Sequence, residues 1–388
     1  MLLKLLILMV KLKLDNTSYT VEDGSTILDV ARGSGIKIST LCHHNGLSHY
    51  SSCMVCMVKD NKTGNFLPSC SALVQEGMEI DCSSEEVILL RKKAIELLLL
   101  EHRAECEAPC RVVCPGGYNI PLMNRLLSSN DFERAVQISI KQIQSSGLKC
   151  HECPGYCENA CRRKKVDLPV SIRNLQIFIS GLISKEDTPH DQNKISTPAS
   201  TEKSIKRFTS RIGRLEETEL NEWVKECSND LKRYREIINS ESAICESASC
   251  MHCDCRAAEN CMLRDIANEY SVKDPRGKLV NSPIQKKINI NTGLIFENAK
   301  CIKCGLCVRL CEDSKDEPAL CFINRGFVSI ISEPLTEDFN NVLKSKTKEV
   351  IDICPTGALS SFWPPVPLTR DIPLKGELLG DISELTPL

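Results

Sequence analysis

The sequence predicts an α+β multidomain chain folded around sulfur, and three observations carry that prediction. Cysteine supplies 24 of the 388 residues and falls in spaced groups. The N-terminal stretch alternates apolar and polar residues as strands do, while residues 85–102, 120–146 and 216–238 read as helix. Apolar content of 42% is enough for real cores, yet aromatic content of 4% is thin, a deficit that bound metal can offset.

Taken in order, Val10-Lys-Leu-Lys-Leu14 alternates like a strand and Tyr19-Thr-Val21 continues it after a turn. Ser25-Thr26 caps a short helix from Ile27 to Arg32, which stops at Gly33. The loop after Ile36-Lys-Ile38 carries Cys42. Ser52-Cys-Met-Val-Cys56-Met-Val58 sets a C-x2-C just before another strand, and Cys70 follows in Leu67-Pro-Ser-Cys70. A long helix from Glu85 to His102 has Ser83 and Glu86 in capping-box positions. Residues 184–204 are polar and contain Pro, Ser and Thr, as a linker does. From Glu216 to Ile238 a helical stripe of Leu220, Trp223, Val224, Cys227, Leu231 and Tyr234 places Cys227 in a core.

Both ends of the chain are read more simply. The apolar start, Met1 to Val10, is too short to span a bilayer and has no small-residue cleavage site; translation from Met9 accounts for it equally well. No other stretch is apolar enough for a membrane helix. Beyond Phe362-Trp-Pro-Pro365 the tail is Pro-rich, either an extended segment lying on a partner or a disordered end. Net charge is −2, which gives no reason to expect nucleic acid.

Three chemistries compete for the cysteines. Dense disulfides belong to small secreted domains, and this chain is long without a convincing signal peptide. Tetrahedral zinc uses C-x2-C pairs, and the 250–261 group is where that alternative fits best. Iron–sulfur clusters take four thiolates, usually three close together and one remote. Cys42, Cys53, Cys56 and Cys70 form C-x10-C-x2-C-x13-C, which suits a [2Fe–2S] centre in loops, although the plant-type first gap is x4. Cys301, Cys304 and Cys307 form C-x2-C-x2-C, with Cys354-Pro355 far downstream. Cys82, Cys227 and Cys245 stand alone, as small buried residues do.

At the two ends of the chain these residues resemble a known protein. Ser25-Thr-Ile-Leu-Asp-Val-Ala31, Thr40-Leu-Cys42-His43, Ser52-Cys-Met-Val-Cys56, Gly77-Met78 and the following helix resemble the start of the large iron–sulfur subunit of respiratory complex I. Iron–iron hydrogenases and NAD-linked formate dehydrogenases share that start. Cys301-Ile-Lys-Cys-Gly-Leu-Cys307-Val-Arg309, Arg325-Gly-Phe327 and Val350-Ile-Asp-Ile-Cys354-Pro-Thr-Gly-Ala-Leu359 resemble its [4Fe–4S] domain. The resemblance implies a β-grasp [2Fe–2S] ferredoxin domain and a C-terminal bacterial-ferredoxin-like [4Fe–4S] domain. It leaves Cys311 and Cys321 spare.

Between them the chain departs from that family, whose helix ends in His-x3-Cys-x2-Cys-x5-Cys. His102-x3-Cys106 is present, but Cys110 and Cys114-Pro115 follow, and Cys250-x2-Cys253-x-Cys255-x5-Cys261 lies far downstream. The economical reading is an inserted module. Cys106-x3-Cys110-x3-Cys114-Pro, Cys153-Pro-Gly-Tyr-Cys157-Glu-Asn-Ala-Cys161 and Leu168 to Gln176 resemble the helical two-cluster domain of the glutamate synthase small subunit and dihydropyrimidine dehydrogenase.

There two [4Fe–4S] clusters are held crosswise and a glutamine can serve as a ligand. The resemblance implies that Cys106, Cys110 and Cys161 share one cluster with His102. Cys114, Cys153 and Cys157 would share another with Gln176, for which Cys150 is the rival. Cys250, Cys253, Cys255 and Cys261 would hold a third. Gln176 is otherwise a surface or supporting residue on a helix. Arg162-Arg-Lys-Lys165 is either a solvated face or a counter-charge to a thiolate-ligated cluster.

The expected boundaries are 1–82 for the [2Fe–2S] domain, 83–183 for the helical two-cluster domain, and 184–240 for a linker and helix. A Cys-rich [4Fe–4S] segment at 241–280, a [4Fe–4S] ferredoxin-like domain at 281–362 and an extended tail at 363–388 complete the chain. The expected cofactors are one [2Fe–2S] cluster and about four [4Fe–4S] clusters, with no flavin or NAD bound, since no G-x-G-x-x-G or P-loop is present. This describes a cytoplasmic electron-transfer subunit, not catalytic alone, whose partners are a flavoprotein NAD(P)-binding subunit and a further redox subunit such as a hydrogenase or formate dehydrogenase. The alternative is a stand-alone redox sensor or scaffold. Anaerobically purified protein is expected to be brown and to carry about 18 iron atoms per chain. Iron near two to six, or stoichiometric zinc, overturns that count.

Overall fold

A computed structural model of the chain describes residues 9–102, 105–147, 150–183, 217–227, 232–258, 260–272, 284–312 and 318–362. The expected linker at 184–204, the tail beyond 362 and the choice between Met1 and Met9 lie outside the described residues. The architecture is mixed α and β. Contacts divide the chain into two compact units, Met1–Ala104 with Glu259–Ser360, and Glu105–Ala258 with Ser361–Leu388.

The first unit begins with a five-stranded sheet. Strands β1 (Met9–Leu14) and β2 (Thr17–Glu22) pair antiparallel around Asp15 and Asn16, both at positive φ. Along β1, Val10, Leu12 and Leu14 are buried while Met9, Lys11 and Lys13 face out, the period of two that one covered sheet face imposes. Helix α1 (Ile27–Gly33) lays Ile27, Leu28, Val30 and Ala31 on that face. Its start is a full capping box: Thr26 Oγ1 accepts the Asp29 amide at 3.1 Å, and the Asp29 carboxylate accepts the Thr26 amide at 3.2 Å. Strands β3 (Met57–Asp60), β4 (Phe66–Pro68) and β5 (Met78–Asp81) complete the order β2-β1-β5-β3-β4, with β5 parallel to β1.

Helix α2 (Glu85–Glu101) starts where its sequence suggests, but its cap is Ser84 and not Ser83. The Asp81 carboxylate takes the amides of both Ser83 and Ser84, so Ser84 becomes the cap and accepts the Val87 amide. Glu86 turns instead to Lys59, at 2.7 Å. The same unit contains a three-stranded sheet of Lys286–Asn289, Leu294–Glu297 and Leu359–Ser361, and a hairpin of Cys321–Ile323 with Ile330–Ser332. Its core joins Leu294, Phe296, Val350 and Leu359, and includes Cys311. That thiol is 4% exposed and packs as an apolar residue.

The second unit is helical. Helices Ile120–Ser128, Phe132–Ser146 and Ile172–Leu182 share a core of Met123, Leu126, Leu127, Val136, Leu175 and Ile179. The long helix expected over 216–238 is shorter than its periodicity suggests. It spans Glu217–Trp223 and tightens into a 3-10 turn at Val224–Glu226. Tertiary pairing overrides propensity beyond it: Arg233 reaches the Glu246 and Asp167 carboxylates, and the Tyr234 amide donates to Glu246 at 2.8 Å. Cys227 is buried as expected, and it accepts a hydrogen bond from Arg163 Nη1 at 3.0 Å.

Replacing Thr26 with Ala removes the hydroxyl that accepts the Asp29 amide, the half of the capping box that the side chain supplies, and should cost about 1 kcal/mol. Thermal melting of the full chain should show the loss, and Thr26→Ser should restore most of it. An unchanged melt for Thr26→Ala would mean that the cap adds nothing to the fold.

Candidate metal centres

Cys42, Cys53, Cys56 and Cys70 are all at most 4% exposed. Cys56 and Cys70, next to β3 and β4, pack in the core with β1 and α1. Cys42 is drawn within hydrogen-bonding reach of Cys53 and Cys70. Donation from those two thiols pushes Cys42 down, and the same contacts, with burial, push Cys53 and Cys70 up. The Ser51 hydroxyl sits 3.7 Å from the Cys70 sulfur.

Three further cavities are each lined by four cysteines, and each has about 320–350 Å³ of empty space, part of it open to solvent. One, in the first unit, is bounded by Cys301, Cys304, Cys307 and Cys354. The other two lie in the second unit. Cys114, Cys150, Cys153 and Cys157 line one, with Gln176 in its wall. Cys110, Cys161, Cys250 and Cys253 line the other, with Arg162, Arg163 and Asn124. Burial lifts Cys301, Cys157 and Cys250 to about 12 and drives Cys110, Cys253 and Cys307 well above an ordinary thiol. Such thiols stay protonated until a cation takes the place of the proton.

The turns that aim these sulfurs use left-handed backbone. Met54, His252 and Lys303, at φ 56°, 47° and 55°, each lie inside a C-x2-C. A non-glycine residue there costs roughly 1–2 kcal/mol, a cost borne where the geometry needs it. The curl also turns amides onto sulfur: Lys303 N donates to Cys301 Sγ at 3.4 Å and His252 N to Cys250 Sγ at 3.5 Å. Glycine is required at 305, where φ is +72° and an added Cβ would stand 3.0 Å from the Tyr50 ring.

The cavities of the second unit keep part of the crosswise grouping that the resemblance implies: Cys110 and Cys161 face one cavity, and Cys114, Cys153 and Cys157 the other. Cys250 and Cys253 stand with Cys110 and Cys161, and neither Cys106 nor His102 lines that cavity. His102 caps α2 in the first unit, where its side chain is buried. Cys106 and Cys255 are held together by the Cys255 amide, which donates to the Cys106 carbonyl at 3.1 Å. Cys261 is buried in the first unit against the Pro355 carbonyl.

Two ion pairs explain why adjacent cysteines part company. Asp254, between Cys253 and Cys255, binds Arg125 through both oxygens at 2.7 and 2.8 Å. Burial works to raise its carboxyl, but Arg125 holds it well below the usual range. On the other side of Cys255, Arg256 binds Glu226 at 2.5 and 3.0 Å. These anchors turn the chain between Cys253 and Cys255. Sequence spacing carries no sign of them, since their partners are 129 and 30 residues away.

Two other expectations are settled by burial. Arg162 and Arg163 are inside, the first paired with Glu105 at 2.7 Å and stacked on Trp223, the second clamped by Asp167 at 2.7 and 2.8 Å. Lys164 and Lys165 are exposed. The basic run is therefore half cavity wall and half solvated face. Gln176 is 2% exposed, not on the surface, and among the described residues neither its amide oxygen nor its nitrogen has a hydrogen-bond partner. An amide left without hydrogen bonds beside four thiols is chemically consistent with a metal-bound group in that cavity.

Known protein families agree with this geometry. Residues 8–85 match the 2Fe-2S iron-sulfur cluster binding domain, residues 101–188 the dihydropyrimidine dehydrogenase domain II 4Fe-4S cluster, and residues 294–360 the ferredoxin-like domain of NADH-quinone oxidoreductase subunit 3. The chain is thus an iron–sulfur protein assembled from three ferredoxin-type modules.

Among its relatives, the alpha subunit of the NADPH-Fe(3+) oxidoreductase of Geobacter sulfurreducens is 34% identical over 30% of this chain and 13% of its own length. The gamma subunit of the NAD-reducing hydrogenase HoxS of Cupriavidus necator is 32% identical over 25% of this chain and 41% of its own. The mitochondrial NADH-ubiquinone oxidoreductase 78 kDa subunit of Candida albicans is 30% identical over 25% and 14%. The chain spans less than half of each. Among the described residues, no helix is long and apolar enough to cross a membrane.

Proposed function

We propose that this chain is the iron–sulfur electron-transfer subunit of a multi-subunit NAD(P)-linked oxidoreductase. It would pass electrons between a flavoprotein that handles the nucleotide and another redox subunit, of the hydrogenase or formate dehydrogenase kind. The observation that carries the reading is the set of three four-thiol cavities, together with a fourth buried thiol set, in one chain. A sensor needs one labile centre, whereas repeated centres suit transfer. Relatives named as NADPH-, NAD- and ubiquinone-linked redox subunits support the same reading.

The ligands we assign are Cys42, Cys53, Cys56 and Cys70 for [2Fe–2S], and Cys301, Cys304, Cys307 and Cys354 for one [4Fe–4S]. Cys110, Cys161, Cys250 and Cys253 hold a second. Cys114, Cys153 and Cys157 hold a third, completed by Cys150 or Gln176. A fourth draws on thiols left over, Cys106 and Cys255 among them. Bound clusters supply one-electron chemistry. The residues of the chain supply dry thiolate cages, the Asn124 and Gln176 amides in the cavity walls, and the Arg162 and Arg163 charges, all of which set potential. The inserted module would give the chain a second docking point, making it a branch between two redox partners.

Cys253→Ser should remove about four iron atoms and one [4Fe–4S] EPR signal. Combined with Cys110→Ser it should remove no more, while Cys255→Ser should remove a different signal. If Cys253 and Cys255 lose the same signal, the partition is wrong. Gln176→Ala with an unchanged spectrum and potential would make Cys150 the fourth ligand.

The isolated chain should not oxidise NADH. Mixed with the co-purified flavoprotein and NADH or NADPH, it should be reduced at turnover rates in stopped flow. NADH oxidation by the chain alone, or full activity of the complex with cluster-free chain, would refute the proposal.

A further inference from the structure

Several buried arginines here have a carboxylate: Arg111 has Glu107, Arg125 has Asp254, Arg162 has Glu105 and Arg163 has Asp167. Arg91 instead meets the Met57 carbonyl and the Tyr270 hydroxyl. Arg309 is the one that sits between two thiol sets. It is 3% exposed, yet among the described residues its side chain meets no carboxylate. Its acceptors are all backbone carbonyls: Cys42 at 2.6 Å, Cys304 at 3.2 Å, Gly305 at 3.4 Å, and Ser48. The Tyr50 ring covers the guanidinium, 4.7 Å from centroid to carbon. Tyr50 in turn donates to Glu312 at 3.1 Å, an exposed carboxylate one contact removed.

Two of those carbonyls belong to cysteines of different thiol sets. Nη2 alone bridges Cys42, from the loop of the N-terminal sheet domain, and Cys304, from the C-x2-C-x2-C loop. The bridge joins residues 267 positions apart on one side and five on the other. Carbonyl dipoles and a ring face offset only part of the cost of burying a full positive charge. A thiolate-ligated cluster on each side carries the negative charge that the guanidinium lacks.

We infer that Arg309 is a shared counter-ion for the two adjacent thiolate sites, Cys42/Cys53/Cys56/Cys70 and Cys301/Cys304/Cys307/Cys354, and that it sets the reduction potentials of both centres together. The inference rests on the reading of those two sets as cluster sites. A fixed cation stabilises the more negative, reduced form of a centre and so raises its potential. Arg309 also fixes the two ligand loops against each other, but its charge, not that tie alone, is the agent.

The test uses the full chain, assembled anaerobically, with both centres followed by EPR-monitored redox titration. Arg309→Gln keeps an amide donor near the carbonyls and removes the charge; both potentials should move to more negative values. Arg309→Lys keeps the charge on a different donor, and both should stay near the parent values. The remaining [4Fe–4S] centres should not move in either variant. Unmoved potentials in Arg309→Gln, a shift confined to one of the two centres, or an Arg309→Lys shift as large as that of Arg309→Gln would each overturn the inference. Should Arg309→Gln fail to assemble either centre, Tyr50→Leu decides. It leaves the guanidinium in place but opens its face to water, so both potentials should fall by less, and no movement overturns the inference. Absence of iron from either loop of the parent protein would instead remove the cluster reading on which this one stands.

Discussion

Everything in this protein depends on keeping sulfur dry. The cysteines of the four thiol sets are buried or partly buried, and burial, with the neighbouring thiols, pushes Cys110, Cys253 and Cys307 well above an ordinary thiol. A fold that places four such groups around a common space is incomplete until a cation replaces their protons. Metal binding and folding then draw on the same free energy. This explains how 388 residues with few aromatics and modest cores can hold their shape. The apolar clusters position the loops, and what fills the loops holds the clusters together.

The second constraint is charge. Thiolate cages are anionic, and this chain surrounds them with buried arginines. In the second unit each such arginine has its own acid, and the pairs act as anchors. Breaking one pair by removing a single partner typically costs about 3–5 kcal/mol, because an uncompensated charge remains inside. Arg125–Asp254 and Arg256–Glu226 illustrate this use, since they set which way the residues from Cys250 to Cys255 face. In the first unit Arg309 meets no such acid among the described residues, and its position between two thiol sets gives it a different task.

The modular history is visible in how the cavities are built. One domain type contributes a sheet whose flanking loops bring Cys56 and Cys70 into its core, another a C-x2-C-x2-C loop closed by a remote Cys-Pro. The helical module contributes C-x3-C turns, of which Cys110/Cys114 and Cys157/Cys161 face apart. It does not close its own second cavity: that cavity is completed by Cys250 and Cys253, which come after residues 184–216 and the helix Glu217–Trp223.

The sequence by itself determined the class of chemistry and most of the local structure. Alternation along Val10 to Leu14, the Thr26 cap and the C-x2-C spacings are short-range signals, each legible within a few residues. The two terminal thiol sets were legible through their C-x2-C spacings, with Cys42 and Cys354 placed by resemblance to known domains. The tertiary structure alone decided what depended on partners far away. Cys250 and Cys253 parted from Cys255 because Asp254 and Arg256 found Arg125 and Glu226. The helix after Glu216 stopped because Arg233 and Tyr234 turned to Glu246. Arg162 and Arg163 went inside while Lys164 and Lys165 did not, because the arginines met the Glu105 and Asp167 carboxylates and Trp223. Spacing records how far apart residues are along the chain, whereas a buried charge goes where its counter-charge is, and that is a property of the folded chain.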